Sequence, residues 1–158
     1  MKNKMIIFIV ALLALFGILA FVVNYQNQQA SEDNPYGKDN LRQSTIEQLD
    51  NPLYQNQMTP DELEEEIDSG DPITVYFYSP ECSFCQQTTP VVVPMTQEMD
   101  IDLKKLNILE FEQPWQTYNI EGTPTIIHFD NGEEVARLHG AQSQDDFQSF
   151  FENEVKGK

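Results

Sequence analysis

Residues 5–23 are apolar without interruption except at Gly17, and no other feature constrains this chain as strongly. At about 1.5 Å of rise per helical residue the run covers roughly 30 Å, the hydrocarbon thickness of a bilayer. A helix apolar on every side has no face for water, so the run predicts a membrane crossing or a fully buried core helix. Lys2 and Lys4 precede it and no charge follows until Glu32 and Asp33. That asymmetry puts the N-terminus in the cytoplasm and the remainder outside. A cleaved signal peptide shares the basic start, but its apolar core is about 7–15 residues long and ends in a small-x-small site. Here the run is longer, and Gln28 stands where a small residue would be needed for cleavage before Ser31. The expectation is a single-pass anchor over residues 1–23 in the cytoplasmic membrane.

The next stretch, 24–40, is rich in Asn, Gln, Ser, Asp and Pro. It holds too few apolar groups to offset the entropy of ordering a chain. Residues 24–50 are therefore expected to form a polar flexible tether, with a short helix within 41–50 built on Leu41, Thr45, Ile46 and Leu49. That leaves 51–158 for a single small domain. With 26 acidic against 9 basic residues the chain carries a net charge of −17. Such a balance repels phosphate backbones and anionic lipid surfaces, so no nucleic-acid partner is expected.

The domain reads as alternating helices and strands. Thr59-Pro60-Asp61-Glu62 is a capping-box signature with Pro at the first helical position, and Gly70 ends that helix. Residues 73–78 (ITVYFY) are β-branched or aromatic and uncharged, the pattern of a strand covered on both faces. Pro90 and Pro94 then fall in a helical stretch that they kink without ending. Residues 103–109 predict a strand, 113–118 a short helix or turn, and 125–130 a third strand. Asn131-Gly132 supplies a tight hairpin into a strand over 134–139. From Ser143 a last helix carries Phe147, Phe150, Phe151 and Val155 on one face. The fold class is α/β with a mixed sheet.

Only two cysteines occur, and Cys82-Ser83-Phe84-Cys85 places them three positions apart. So small a loop adds little as a staple. A lone pair cannot supply the four ligands of a structural zinc, and His128 and His139 are not at finger-like spacing, so no metal is expected. The pair reads as chemistry.

In order along the chain stand an apolar strand feeding CxxC, Pro90 five residues past the second cysteine, a strand over 105–108, and the loop Gly122-Thr123-Pro124-Thr125. An Asn-Gly hairpin, a strand ending in Gly140 and a terminal helix follow. That ordered set resembles the thioredoxin superfamily over about 59–155. The resemblance implies a three-layer α/β/α fold and a redox-active disulfide between Cys82 and Cys85, with no other cofactor. It makes Cys82 the nucleophile at a helix N-terminus, where N–H groups and the dipole favour a thiolate, and Cys85 the resolving thiol one turn later. It also makes Pro124 a cis proline facing the cysteines, and Thr123 a neighbour lining the same substrate groove. The layout is similar to membrane-anchored thioredoxin-like proteins outside the membrane of Gram-positive bacteria.

Departures from the family pattern bear on direction. Glu81 replaces the usual Trp before the first cysteine, and Tyr76, which does not ionise near neutral pH, stands where the family has a buried acid. Lys105, aligned with a lysine beside that acid, reads as solvated surface or fold support. Ser83-Phe84 carries no cation to hold a thiolate, which disfavours a very strong oxidant. His128 and His139 read as ordinary strand histidines and Trp115 as a packing residue. The functions open to such a chain are reduction or exchange of disulfides in exported proteins, the preferred reading, a disulfide-forming oxidase, and a non-catalytic binding module. Exported protein thiols and a membrane or extracytoplasmic redox partner are the expected partners.

Overall fold

The computed structural model describes residues 2–30 and 34–157. Helix α1 covers Lys2–Ala30. Within it Lys4–Gln29 is long and apolar enough to cross a membrane, with a mean hydropathy of 3.3 in its most apolar window.

The domain is a four-stranded mixed sheet in the order β2-β1-β3-β4. Its strands are β1 (Ile73–Tyr78), β2 (Leu103–Asn107), β3 (Thr125–Asp130) and β4 (Glu133–His139). β1 runs parallel to β2 and antiparallel to β3, and β3 pairs antiparallel with β4. All six side chains of β1 are buried. Because successive side chains point to opposite faces, β1 supplies two cores at once. Tyr76 and Tyr78 pack with Val92, Val93, Phe147 and Phe151 on one face, while Val75 and Phe77 pack with Leu63, Leu106, Ile120 and Ile127 on the other.

Helix α3 (Pro60–Ser69) covers the second face. Its capping box is complete: the Glu62 amide donates to Thr59 Oγ1 at 3.3 Å, and Glu62 Oε2 accepts from the Thr59 amide at 2.7 Å. Gly70 closes the helix at a φ of 81°, where a Cβ would be strained. Helices α4 (Ser83–Glu98) and α6 (Gln144–Phe150) cover the first face, and α4 passes through both Pro90 and Pro94. The chain beyond α6 continues as a π-helical turn, Phe151–Val155, which buries Phe151. Short helix α5 (Gln113–Thr117) precedes β3. In the hairpin, Asn131 and Gly132 both take positive φ, at 52° and 80°, the backbone a two-residue connection between twisted strands requires. β2 stops at Asn107, two residues short of the expected end, because the Asn107 side-chain oxygen accepts the Leu109 amide at 3.1 Å and turns the chain away.

The stretch expected to be a flexible tether differs most from its reading. Ser31, Glu32 and Asp33 within it lie outside the described residues, but α1 carries 24–30 in helix, and 34–50 fold as an arm against the domain. Tyr36, Leu41 and Thr45 are buried, and within the arm α2 (Gln43–Ile46) is only one turn long. What holds the arm is Glu110. Its Oε1 accepts from Thr45 Oγ1 at 2.6 Å and from the Arg42 amide at 2.9 Å, its backbone oxygen accepts from Lys38 Nζ, and its other carboxylate oxygen lies 3.9 Å from the same ammonium. Asn107 Nδ2 donates to Thr45 Oγ1 at 3.1 Å, and Lys38 also sits over the Phe111 ring.

Candidate active site

Strand β1, central in the sheet, delivers the chain to the sheet's end, and a turn over Ser79 and Pro80 leads it into α4, whose N-cap residue is Cys82. The Cys82 sulfur accepts the Cys85 amide at 3.3 Å, taking up one of the free N–H groups at the helix start. On its other side the Cys82 thiol lies 3.3 Å from the Thr123 carbonyl oxygen. The Thr123-Pro124 peptide is cis. That loop is fixed from behind: the Gly140 amide donates to the Pro124 oxygen at 2.8 Å, and Thr125 Oγ1 donates to the Gly122 oxygen at 2.8 Å while meeting His139 Nδ1 at 3.1 Å. The structure thus brings Cys82, Cys85, Thr123 and Pro124 to one end of the sheet, and both cysteines are free thiols.

The two sulfurs sit in different surroundings. Cys82 is partly exposed, whereas Cys85 is 1% exposed. Burial works against ionisation of Cys82, but contacts with Thr123 and Cys85 and the backbone N–H groups of Cys85 and Phe84 outweigh it, so this thiol lies below its ordinary value. Cys85 goes the other way: burial above all pushes its thiol up to about 12. Between them Phe84 stands 60% exposed at the rim.

Behind Cys85 the side chains are hydroxyls. Tyr76 Oη lies 3.1 Å from Thr89 Oγ1 and 3.5 Å from the Cys85 carbonyl oxygen, to which Thr89 donates at 2.8 Å. Burial, reinforced by the nearby Cys85 sulfur, raises the Tyr76 phenol, so it stays protonated. Tyr76 stacks on Tyr78, whose hydroxyl accepts from Gln57 Nε2 at 2.7 Å.

Other residues singled out in the sequence lie apart from the sulfurs. Lys105 pairs with Tyr76 across the β1–β2 ladder and is only 4% exposed, so of its two readings solvated surface falls away and fold support stands. Its Nζ donates to the Gln55 oxygen at 2.7 Å, tying the segment before α3 to the sheet, and burial lowers it to about 8. His128 is buried with Nδ1 3.0 Å from Thr74 Oγ1, and Trp115 Nε1 donates to the Ile108 oxygen at 3.3 Å. Among the described residues, no three His, Cys, Asp or Glu side chains are grouped to hold a metal ion. The sequence reading missed Ser44, which the arm brings to the site: its hydroxyl donates to Glu81 Oε1 at 3.0 Å, beside Cys82. No local pattern marks that pair, whose members lie far apart in the chain.

Comparison with known proteins agrees with this geometry. The chain is 32% identical over 74 residues to thioredoxin from Chlamydia pneumoniae, covering 46% of this chain and 72% of that protein. Thioredoxin from Rickettsia bellii is 28% identical over 101 residues, 62% of this chain and 96% of the relative. A protein disulfide-isomerase from Datisca glomerata is 28% identical over 88 residues, 53% of this chain but only 17% of that longer protein. Among solved structures, a mutant thioredoxin from Halobacterium salinarum superposes with a TM-score of 0.52 at 28% identity, covering 59% of this chain and 82% of that one. The Thioredoxin family model matches residues 55–153, the stretch that builds the sheet, the cysteine turn and the cis-proline loop, and by that match the chain belongs to the thioredoxin family.

Proposed function

We propose that this chain is a thiol-disulfide oxidoreductase acting on exported proteins as a reductase or exchanger, with Cys82 attacking and Cys85 resolving. The observation that carries this reading is the contrast between the two sulfurs: one partly exposed with its thiol lowered, the other buried and held protonated. The Cys82 thiolate attacks a substrate disulfide, forming a mixed disulfide and releasing one substrate thiolate, which takes up a proton. Cys85 then loses its proton and attacks the Cys82 sulfur, releasing the second substrate thiolate. Two electrons pass to the substrate and the domain is left with a Cys82–Cys85 disulfide, which an upstream dithiol must reduce. Thr123 and Pro124 supply the wall against which an extended substrate pairs.

A thiolate stabilised by neutral hydrogen bonds, with no cation in Ser83-Phe84, favours a potential toward the reducing end. Thioredoxins and protein disulfide-isomerases among the relatives support the general activity. The length and apolarity of α1, with Lys2 and Lys4 before it, support a single-pass anchor with the domain outside the cytoplasm. The test is a redox titration of the full chain in detergent against dithiothreitol and glutathione buffers. A potential near about −270 mV supports reduction, and one near about −120 mV reverses the direction in favour of an oxidase. Cys82→Ser abolishes turnover in an oxidoreductase, whereas a pure binding module keeps its function.

A further inference from the structure

The Thioredoxin family model begins at residue 55, so the arm over 34–50 is an addition to the domain that the family describes. It packs against the turn that presents the nucleophile. Tyr36, 4% exposed, sets its hydroxyl 3.4 Å from that of Tyr78, the last residue of β1. Thr45, fully buried, is locked to Glu110. Ser44, next to that lock, donates its hydroxyl to the Glu81 carboxylate at 3.0 Å. Glu81 is tied a second time through its amide, which donates to Ser79 Oγ at 3.2 Å. An exposed glutamate on a turn ordinarily samples many rotamers, whereas this one has its carboxylate held by Ser44 immediately before Cys82.

Resting on the redox reading above, we propose that Glu81 is a specificity-determining residue and Ser44 its positioning residue: together they form a charge filter that makes Cys82 exchange faster with cationic or neutral disulfides than with anionic ones. A carboxylate on the residue before Cys82 lies within about 10 Å of the sulfur, close to the Debye length at physiological ionic strength. A partner whose own charges flank its disulfide therefore feels this carboxylate as the sulfurs meet. The transition state spreads one negative charge over three sulfurs in line, so a second negative charge on the partner is penalised and a positive one is favoured. The net charge of −17 acts in the same direction at longer range, but it is spread over the whole chain, whereas Glu81 stands at the point of reaction. The substrate class implied is an exported disulfide in a basic or uncharged setting.

The test uses the full chain in detergent carrying Cys85→Ser, so that the mixed disulfide at Cys82 persists and only the first step is read. Two matched aliphatic probes are compared, cystamine (a dication) and 3,3′-dithiodipropionate (a dianion), with adduct formation followed by acid quench and mass spectrometry. The quantity read is the ratio of the two rates. Glu81→Gln, isosteric at an exposed position, is expected to cut the preference for cystamine about fivefold, and 0.5 M NaCl to abolish the difference between parent and variant. Ser44→Ala is expected to move the ratio part of the way, about twofold, with an unchanged thermal midpoint. A Glu81→Gln ratio equal to the parent's overturns the filter, as does a difference that survives high salt. A Ser44→Ala ratio equal to the parent's overturns the arm's part in it. Failure of both probes to label Cys82 in the parent overturns instead the redox reading on which the filter rests.

Discussion

Tyr76 Oη and Thr89 Oγ1 meet at 3.1 Å behind Cys85, so the second sulfur is backed by two hydroxyls that stay neutral. In the exchange proposed above, the proton that Cys85 gives up would therefore leave on the Cys82 side, toward the departing substrate thiolate or water. Tyr76→Phe removes the phenol oxygen and leaves Thr89 bonded to the Cys85 carbonyl. The expected outcome is a loss of about 1 kcal/mol in denaturant stability with turnover within about twofold of the parent. A large fall in turnover at unchanged stability would make the phenol a proton carrier.

The two thiols should separate cleanly with pH. Alkylation of the reduced chain by iodoacetamide is expected at Cys82 alone near neutral pH, with an apparent pKa below that of a free cysteine, about 8.5. Cys85 should stay unmodified until the protein opens. Its thiol is raised in the fold, so between about 8.5 and about 12 the unfolded chain loses this proton first, and the reduced protein loses stability as pH rises through that window. Cys85→Ser should flatten that part of the stability curve, read by urea unfolding at stepped pH.

Lys105 gives the opposite slope. Burial lowers its ammonium to about 8, so between about 8 and about 10.4 the unfolded chain holds the extra proton and the fold gains stability as pH rises. Lys105→Met removes a charge that is costly to bury below that window, along with a bond to the Gln55 oxygen. Relative to the parent, the variant should lose ground by the order of 2 kcal/mol between pH 7 and pH 10. Equal slopes for the two proteins would show that the ammonium is solvated.

Glu110 offers a direct handle on the arm. Glu110→Ala takes the acceptor from the Thr45 hydroxyl and from the Arg42 amide, leaving Thr45 Oγ1 with Asn107 alone, and removes the carboxylate facing Lys38. A cost of about 2–3 kcal/mol is expected, concentrated in the arm and not in the sheet. Trypsin should then cut after Lys38 or Arg42 well before it attacks 55–153, whereas the parent resists at both positions. Simultaneous digestion of arm and domain would show that the arm is part of the global unfolding unit.

The features legible in the sequence are those whose cause is local. Thr59 and Glu62 cap one helix within a single turn, Asn131-Gly132 needs no more than its own φ angles, and Cys82 and Cys85 stand in one turn of α4. The order of these pieces carried the fold. What the sequence hid is built from partners far apart: Tyr36 on Tyr78, Thr45 on Glu110 and Asn107, Ser44 on Glu81. None falls at helical or strand spacing, and a polar stretch with few apolar residues reads as unstructured when their counterparts lie elsewhere. Between the two readings open for Lys105, solvated surface and fold support, the choice is hidden for a related reason. A lysine within a strand looks like a surface residue until a neighbouring segment, here Gln55, supplies the acceptor that lets it be buried.

The clasp around Glu110 also sets how far the cysteine-bearing end can stand from α1. Were 24–50 free, the domain could drift about 90 Å from the end of its apolar helix at full stretch. With helix to Ala30 and Tyr36 already seated on Tyr78, that distance is capped at about 20 Å of contour. If α1 is the anchor proposed above, a sulfur held so near it would meet partners in a thin shell around its mooring and encounter them at high local concentration.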